Sequence, residues 1–171
     1  WSSAVDRFGS DPAREAYLSF QRLLQVAVAG CLLFASSVAL AAEKVPVLIH
    51  AGGSTYKFDA EIADTADERA QGLMYREHLD PNEGMLFLYP VAKPVAFWMK
   101  NTPLPLDMIF IDAEGKIINV AAMAKPFDTN PISSEGSAIA VFEILGGSAG
   151  QLGIQAGDKV EWPAQATAPT P

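Results

Sequence analysis

The sequence predicts a mainly β (α+β) fold, in the form of a small antiparallel barrel or rolled sheet with one short helix near residues 65–74. Two observations lead to this class. Short apolar runs separated by turn residues recur throughout residues 43–162. No segment there has the length and periodicity of a long helix that could cover a parallel sheet. Because 50% of the chain is apolar, a sheet that rolls up on itself is the natural way to bury that surface.

The first part of this domain is expected to hold two strands and the helix. Val45–His50 is an apolar run interrupted by Pro46, which is typical of an edge strand because proline cannot donate to a sheet ladder. Tyr56–Ala63 alternates apolar and polar residues, as a half-buried strand requires. Thr65 and Glu68 form a capping box, which predicts that the helix begins there.

The second part is expected to hold strands and loops, with one helical turn allowed around Ala149–Leu152. Met85–Tyr89 is a continuous apolar run and predicts a buried strand, followed by an interruption at Pro90–Pro94. The loop at Lys125–Gly136 is long, and long loops inside compact domains are often functional. The remaining strands are predicted at Val95–Met99, Met108–Ile111, Lys116–Val120, Ala138–Leu145 and Lys159–Trp162.

The segment FWMKNTPLPLD, residues 97–107, is the most informative stretch of the chain. Alternation along a strand places Trp98 and Lys100 on the same face. The two prolines that follow cannot donate to a sheet ladder, so the chain must leave the sheet. We therefore expect a rigid polar corner, from Lys100 to Asp107, held between two core strands.

The chain is predicted to have four parts: a polar N-terminal segment at 1–22, a secretory leader at 23–42, a single β-rich domain at 43–162 and a disordered tail at 163–171. A misplaced translation start could explain the first part. The leader has basic residues before it, an apolar run, and a small-x-small exit at Ala39–Ala41. It predicts an exported protein, periplasmic or extracellular. Its length would also span a bilayer, so an uncleaved membrane anchor stays open.

Charge and cysteine content exclude several classes of function. The formal net charge of −8 argues against binding to nucleic acid or to an anionic membrane surface. Cys31 is the only cysteine and lies in the leader. The exported domain therefore has no disulfide, thiol nucleophile or cysteine metal site.

Several motifs in this order resemble one known family, the domain of unknown function family 192 (DUF192). The FWMKNT block is the most specific of them. The resemblance implies a compact β-rich domain that commonly follows a leader, with no established activity. Separately, we expect no cofactor. The motifs are Glu68-Arg69 through Met74 and Arg76, Gly84–Phe87, Phe97–Thr102 with Pro105–Asp107 and Phe110–Asp112, and Gly153-Ile154 with Gly157-Asp158.

The residue types around the corner favour a binding module for a small anionic or sugar-like ligand, or for a peptide. Arginine recognises carboxylates and phosphates in a bidentate manner, and tryptophan supplies a stacking surface. A basic cleft in an acidic domain would concentrate an anion. The candidate binding residues are Arg69, Arg76, Trp98, Lys100, Asn101, Asp107 and Glu143.

Two other functions stay open. A hydrolase-like enzyme could use Asp107 and Glu143 as a carboxylate pair, provided that the two converge in a cleft. Glu143 could instead form a structural ion pair with Arg69, Arg76 or Lys100. The second alternative is a copper-binding protein, because thioethers suit Cu(I); its ligands would come from Met74, Met85, Met99, Met108 and Met123, with His50 or His78.

Overall fold

The computed structural model describes residues 44–163. The N-terminal segment, the leader and nearly all of the expected tail lie outside the described residues. Within residues 44–163, no helix is both long enough and apolar enough to cross a membrane.

The described part of the chain folds into nine strands and two short helices. In chain order these are β1 (Lys44–Ala51), β2 (Ser54–Ala63), α1 (Ala66–Gln71), β3 (Glu83–Lys93), β4 (Ala96–Phe97), β5 (Leu106–Ile111), β6 (Ile117–Ala124), β7 (Ile132–Ser133), β8 (Ala138–Leu145), α2 (Ser148–Leu152) and β9 (Lys159–Glu161).

Seven of these strands form one rolled sheet, in the order β6-β5-β8-β3-β2-β1-β9, and β4 pairs with β7 in a separate ribbon. The two ends of the rolled sheet meet at a single bridge between Lys116 and Lys159. This confirms the predicted mainly β rolled sheet. One pair departs from the antiparallel pattern, because β2 and β3 run parallel. Parallel neighbours need a long crossover, which residues 64–82 supply with α1 inside them.

Alternate residues of the central strands face two separate apolar cores, which explains their continuous apolar runs. Along β5, Ile109 and Ile111 belong to one core, whereas Met108 and Phe110 belong to the other. The first, which we call the inner core, draws residues from all seven strands of the rolled sheet. The second, the outer core, packs on the other face beneath the segments that cross it.

Several strands differ from the sequence prediction, and three of the differences concern β3, β4 and β1. β3 continues through Pro90 to Lys93, because the register with β8 shifts between Leu88 and Lys93 and so leaves the proline outside the ladder. β4 is limited to two residues, since its partner β7 is equally short. β1 is an edge only over its first half, because β9 pairs with Leu48–His50 and not with the half that contains Pro46.

The capping box forms as predicted and sets the position of α1. The Thr65 hydroxyl accepts from the Glu68 backbone N–H at 3.2 Å, and the Glu68 carboxylate accepts from the Thr65 N–H at 3.1 Å. The helix ends at Gln71 and is followed by Gly72, which adopts a positive φ of 49°. This short helix carries Arg69 across the outer face of the sheet.

Candidate functional site

A cavity of about 180 Å³ opens on the outer face of the sheet, between α1 and the corner. Four aromatic side chains contribute to its walls, and its charged lining residues are Arg69 and Glu143. The lining comes from α1 and its C-terminal turn, from β3, β4 and β8, and from the corner. The aromatic members are Phe87, Tyr89, Phe97 and Trp98.

Glu143 is the most unusual residue in this cavity. It lies on β8 between Met85 of β3 and Met108 of β5, so its side chain projects from the outer face between two thioethers. Only 4% of the residue is exposed, and its carboxyl has no hydrogen-bond or ion-pair partner among residues 44–163. Burial raises its pKa to about 8. The raised pKa favours the protonated form of this carboxyl at neutral pH, and within residues 44–163 it has no hydrogen-bond partner.

Arg69 projects from α1 into the same cavity. One guanidinium nitrogen, Nη1, donates to the Leu88 carbonyl at 2.9 Å and to the Asp64 carbonyl. The guanidinium carbon lies 5.2 Å from the centre of the Tyr89 ring. Within the described part of the chain Nη2 and Nε have no acceptor. The arginine is thus held in place by one nitrogen and keeps further donors for a ligand.

Tyr89 connects the two charged lining residues. Burial raises the pKa of its phenol; the positive charge of Arg69 opposes that shift, and the Glu143 carboxyl adds to it. The Lys93 ammonium lies 5.2 Å from the centre of the same ring. The Tyr89 phenol therefore stands within electrostatic range of both Arg69 and Glu143, with two cations around its ring.

Trp98 forms the outer wall, and its position agrees with the predicted alternation. It is 49% exposed, and the Lys100 ammonium lies 5.1 Å from the centre of its indole ring. The neighbouring Phe97 and Met99 turn inward instead: Met99 is fully buried, and Phe97 packs edge-on against Phe87 at 5.0 Å. The aromatic wall is therefore anchored in the outer core while Trp98 remains accessible.

Asn101 and Arg76 have structural roles beside the cavity and do not line it. Asn101 has a positive φ of 55°, which asparagine tolerates, and its amide donates to the Tyr75 hydroxyl at 2.7 Å. Arg76 makes a bidentate ion pair with Glu61 at 2.8 and 2.7 Å. The hydrogen bonds from Arg76 lower the pKa of the Glu61 carboxyl. Neither residue joins the predicted binding cleft directly.

Asp107 does not converge with Glu143, which corrects the proposed catalytic pair. In the ladder Asp107 stands opposite Ile144, whereas Glu143 stands opposite Met108. Their side chains therefore leave the sheet on opposite faces. The fully buried Asp107 carboxylate accepts from the backbone N–H groups of Met123, Gly147 and Ala149, at 2.8 to 2.9 Å. The structure thus gives Asp107 a structural role and leaves the hydrolase hypothesis without its second carboxylate.

The predicted residues accordingly separate into two groups. Arg69, Trp98 and Glu143 line one cavity, with Lys100 stacked on the tryptophan. Sequence reasoning missed the walls formed by Phe87 and Tyr89. The sequence does indicate that residues 85, 87 and 89 share one face of a strand. It does not indicate that α1 crosses that face, so these residues could not be assigned to a cavity.

The structure brings methionines, but no histidine, to Glu143. Met85 and Met108 flank it, and Met74 also lines the cavity. The two histidines pair elsewhere: His50 contacts Thr55 at 2.9 Å, and His78 contacts Asp80 at 2.9 Å. In the part of the chain that the structure describes, no group of three or more His, Cys, Asp or Glu side chains could hold a metal.

Comparison with known proteins identifies relatives but no activity. The model of a family described as an uncharacterized ACR, DUF192, matches residues 47–162. A protein of unknown function from Novosphingobium aromaticivorans DSM 12444 is 44% identical, with a TM-score of 0.68, over 70% of this chain and 85% of that chain. A Sinorhizobium meliloti 1021 protein, provisionally named a transcription regulator, is 38% identical, with a TM-score of 0.68, over 70% of this chain and 93% of that chain. No curated protein matches.

Proposed function

We propose that the cavity beside Trp98 binds a small anionic or hydroxylated organic ligand. The chain belongs to the uncharacterised DUF192 family. The ligand could be free or could be one side chain of a peptide. The proposal makes this protein a binding or accessory module, and it requires no cofactor.

The observation that carries this proposal is the unpartnered Glu143 carboxyl. Glu143 is only 4% exposed as a residue, yet its carboxyl faces a cavity and not a closed core. Among residues 44–163 the buried side-chain polar atom without a partner is Trp162 Nε1, so the Glu143 carboxyl is accessible from the cavity. A ligand in the cavity could hydrogen-bond with this carboxyl, which makes no hydrogen bond or ion pair within the described residues.

The walls support the same function. Phe87, Phe97 and Trp98 offer apolar and stacking surface, and Arg69 offers unused donors. Ligand sites usually combine such apolar walls with a few convergent polar groups. The half-exposed Trp98 leaves the site open at the surface, so a ligand could enter without unfolding of the outer core.

We further propose that the protein is exported, on the basis of the leader predicted at residues 23–42. Retention by an uncleaved leader is the alternative, and it would be the only contact with a membrane. The provisional name of the Sinorhizobium relative concerns transcription. The net charge of −8 does not favour nucleic-acid binding in this chain, so we do not extend that name to it.

A thermal-shift screen against small carboxylates, sugars and amines tests the binding function. We expect one of these classes to raise the melting temperature through mass action. Trp98→Ala should remove this protection, because it deletes the accessible wall of the cavity. It should change the unliganded melting temperature little, since Trp98 is 49% exposed.

Val91→Ala provides the matched control. Val91 is another large exposed apolar residue, at 69% exposure, and it does not line the cavity. The control should retain full protection by the same compound. If no compound in the three classes protects the protein, or if Trp98→Ala is protected as well as the wild type, the cavity is not the binding site.

A further inference from the structure

We infer that the ligand of this cavity is a small organic acid whose carboxylate shares a proton with the Glu143 carboxyl. This inference rests on the proposed binding function of the same site and names the chemical class of its ligand. It is carried by three features: the unpartnered carboxyl, the sign of the charges around it, and the shape and polarity of the walls.

The first step concerns hydrogen bonding at Glu143. An uncharged carboxyl offers one O–H donor and one carbonyl acceptor. A carboxylate placed against it accepts that proton in a short, charge-assisted O–H···O⁻ bond, which is among the stronger hydrogen bonds in proteins. The thioethers of Met85 and Met108 on either side cannot stabilise an ionised Glu143. The raised pKa of about 8 agrees with a carboxyl that keeps its proton at neutral pH.

The second step concerns the charged groups that surround Glu143. Arg69 faces the cavity from α1, and Tyr89 faces it from β3 with Lys93 over its ring. From the corner, Lys100 lies on Trp98. Among the residues that line the cavity, Glu143 itself is the only acid. Once Glu143 is protonated, the remaining charge among the lining residues is that of Arg69, and it favours an anion over an amine. Asp67 and Glu68 lie on the same helix as Arg69 but do not line the cavity.

The third step concerns the remaining walls. The cavity of about 180 Å³ is lined by four aromatic rings and, to a similar extent, by polar groups, which include those of Arg69, Gln71 and Glu143. Thr102 lines it, but its hydroxyl already donates to the Lys100 carbonyl at 3.2 Å. An aromatic body can stack on the rings, which a non-aromatic ligand does less well. A compact apolar body with a single carboxylate matches both the walls and the polar end.

Three near-isosteric probes separate the possible charge classes: benzoate, benzamide and benzylamine. We would measure their binding to the protein by isothermal titration calorimetry at pH 7. Benzoate should bind at least tenfold more tightly than benzamide, because only the anion benefits from both the Glu143 proton and the surrounding cations. Benzylamine should bind more weakly still.

The pH dependence of benzoate binding tests the shared proton. Below pH 8 Glu143 already carries its proton, so affinity should be nearly constant. Above pH 8 the free protein has lost that proton and must take it up again on binding, so affinity should fall up to tenfold per pH unit. Titrations at pH 9 in two buffers of different ionisation enthalpy should show uptake of close to one proton.

Two variants assign that proton to Glu143. Glu143→Gln keeps an N–H donor but cannot titrate, so it should bind benzoate with little change between pH 7 and pH 9. Glu135→Gln removes an exposed carboxyl that does not line the cavity, so it should keep the wild-type pH profile.

The possible failures are distinguishable. Tighter binding of benzylamine than of benzoate, or benzoate binding that is independent of pH in the wild type, would overturn the organic-acid inference while the cavity remained a binding site. The same holds if Glu143→Gln kept the wild-type pH profile. If none of the three probes binds and the broader thermal-shift screen is also negative, both the inference and the proposed function are wrong.

Discussion

Two acidic residues on adjacent strands of this protein are buried in opposite ways. Asp107 accepts hydrogen bonds from three backbone N–H groups and lies at the start of α2. Glu143 has no protein partner in the described residues and opens into a cavity. A carboxylate that satisfies several N–H groups is part of the architecture, because its removal would leave those donors buried and unpaired. A carboxyl without partners has no such role, which is why we assign the binding function to Glu143.

The stability of the protein should report the burial of Glu143 even without a ligand. The pKa of Glu143 is raised from 4.5 to about 8 in the folded state, so between these values the folded state binds more protons than the unfolded state. The contribution of Glu143 to the free energy of unfolding is therefore complete below pH 4.5 and is lost as the pH rises to about 8. The slope approaches about 1.4 kcal/mol per pH unit at most.

Glu143→Gln removes this titration. We expect the melting temperature of the variant, relative to the wild type, to rise steadily from pH 5 to pH 8 and to level off above that. Differential scanning calorimetry over this range would measure it. Glu135→Gln is the control. Because Glu135 is exposed, the difference in melting temperature between this variant and the wild type should not rise with pH in the same way. If the difference in melting temperature between Glu143→Gln and the wild type did not depend on pH, the Glu143 carboxyl would be hydrated or paired in solution.

At the scale of elements, the site depends on the close approach of β3 and β8. Gly84 of β3 lies against β8 so closely that an added Cβ would be 2.5 Å from the Glu143 carbonyl oxygen and 2.6 Å from the Phe142 ring. The first of these atoms is backbone and cannot move independently of the strand. The glycine therefore sets the separation of the two strands that carry Tyr89 and Glu143.

Gly84→Ala should consequently destabilise the protein by about 2 kcal/mol or more, since overpacking a tight core usually costs 1–3 kcal/mol. Urea denaturation followed by circular dichroism would measure the loss. Gly150→Ala is the matched control, because nothing lies within 4 Å of a Cβ added there and its φ is not positive. Equal stability of Gly84→Ala and the wild type would show that the strands can separate without cost.

The sequence allowed the local elements to be predicted, but not the site that they build. The capping box at Thr65 and the alternation in β2 are local patterns, and both appear in the structure. The parallel pairing of β2 with β3 depends on contacts between distant residues, and no local pattern announces it. The cavity follows from that pairing, because the crossover carries α1 over Phe87 and Tyr89. Asp107 and Glu143 could be singled out by type, but their opposite faces follow only from the register.

At the scale of the whole molecule, an acidic protein carries a local cluster of positive charge. The net charge is −8, whereas Arg69, Lys93 and Lys100 gather around the aromatic rings of the cavity. Such an arrangement repels anions from most of the surface and attracts them at one place. An exported binding protein would meet its ligand outside the cytoplasm, so the compartment is part of the functional hypothesis.

Export can be tested by fusing alkaline phosphatase after residue 60 of this chain and expressing the fusion in a bacterium. The reporter becomes active only in an oxidising compartment where its disulfides form. The apolar run at 23–42 should direct the fusion across the inner membrane and give strong activity. Placing two arginines in that run, Leu32→Arg with Leu33→Arg, should abolish activity, because charges within the apolar segment oppose insertion.

A second variant distinguishes cleavage from anchoring. Ala41→Phe replaces a small residue at the expected exit of the leader, so it should leave reporter activity high but keep the fusion at its unprocessed mass. The wild-type fusion should appear at the mass expected for a chain that begins shortly after Ala41. An unprocessed but active wild-type fusion would favour the anchored alternative. If the wild-type fusion is inactive while present at normal levels, residues 23–42 do not direct export, and the ligand must be sought inside the cell.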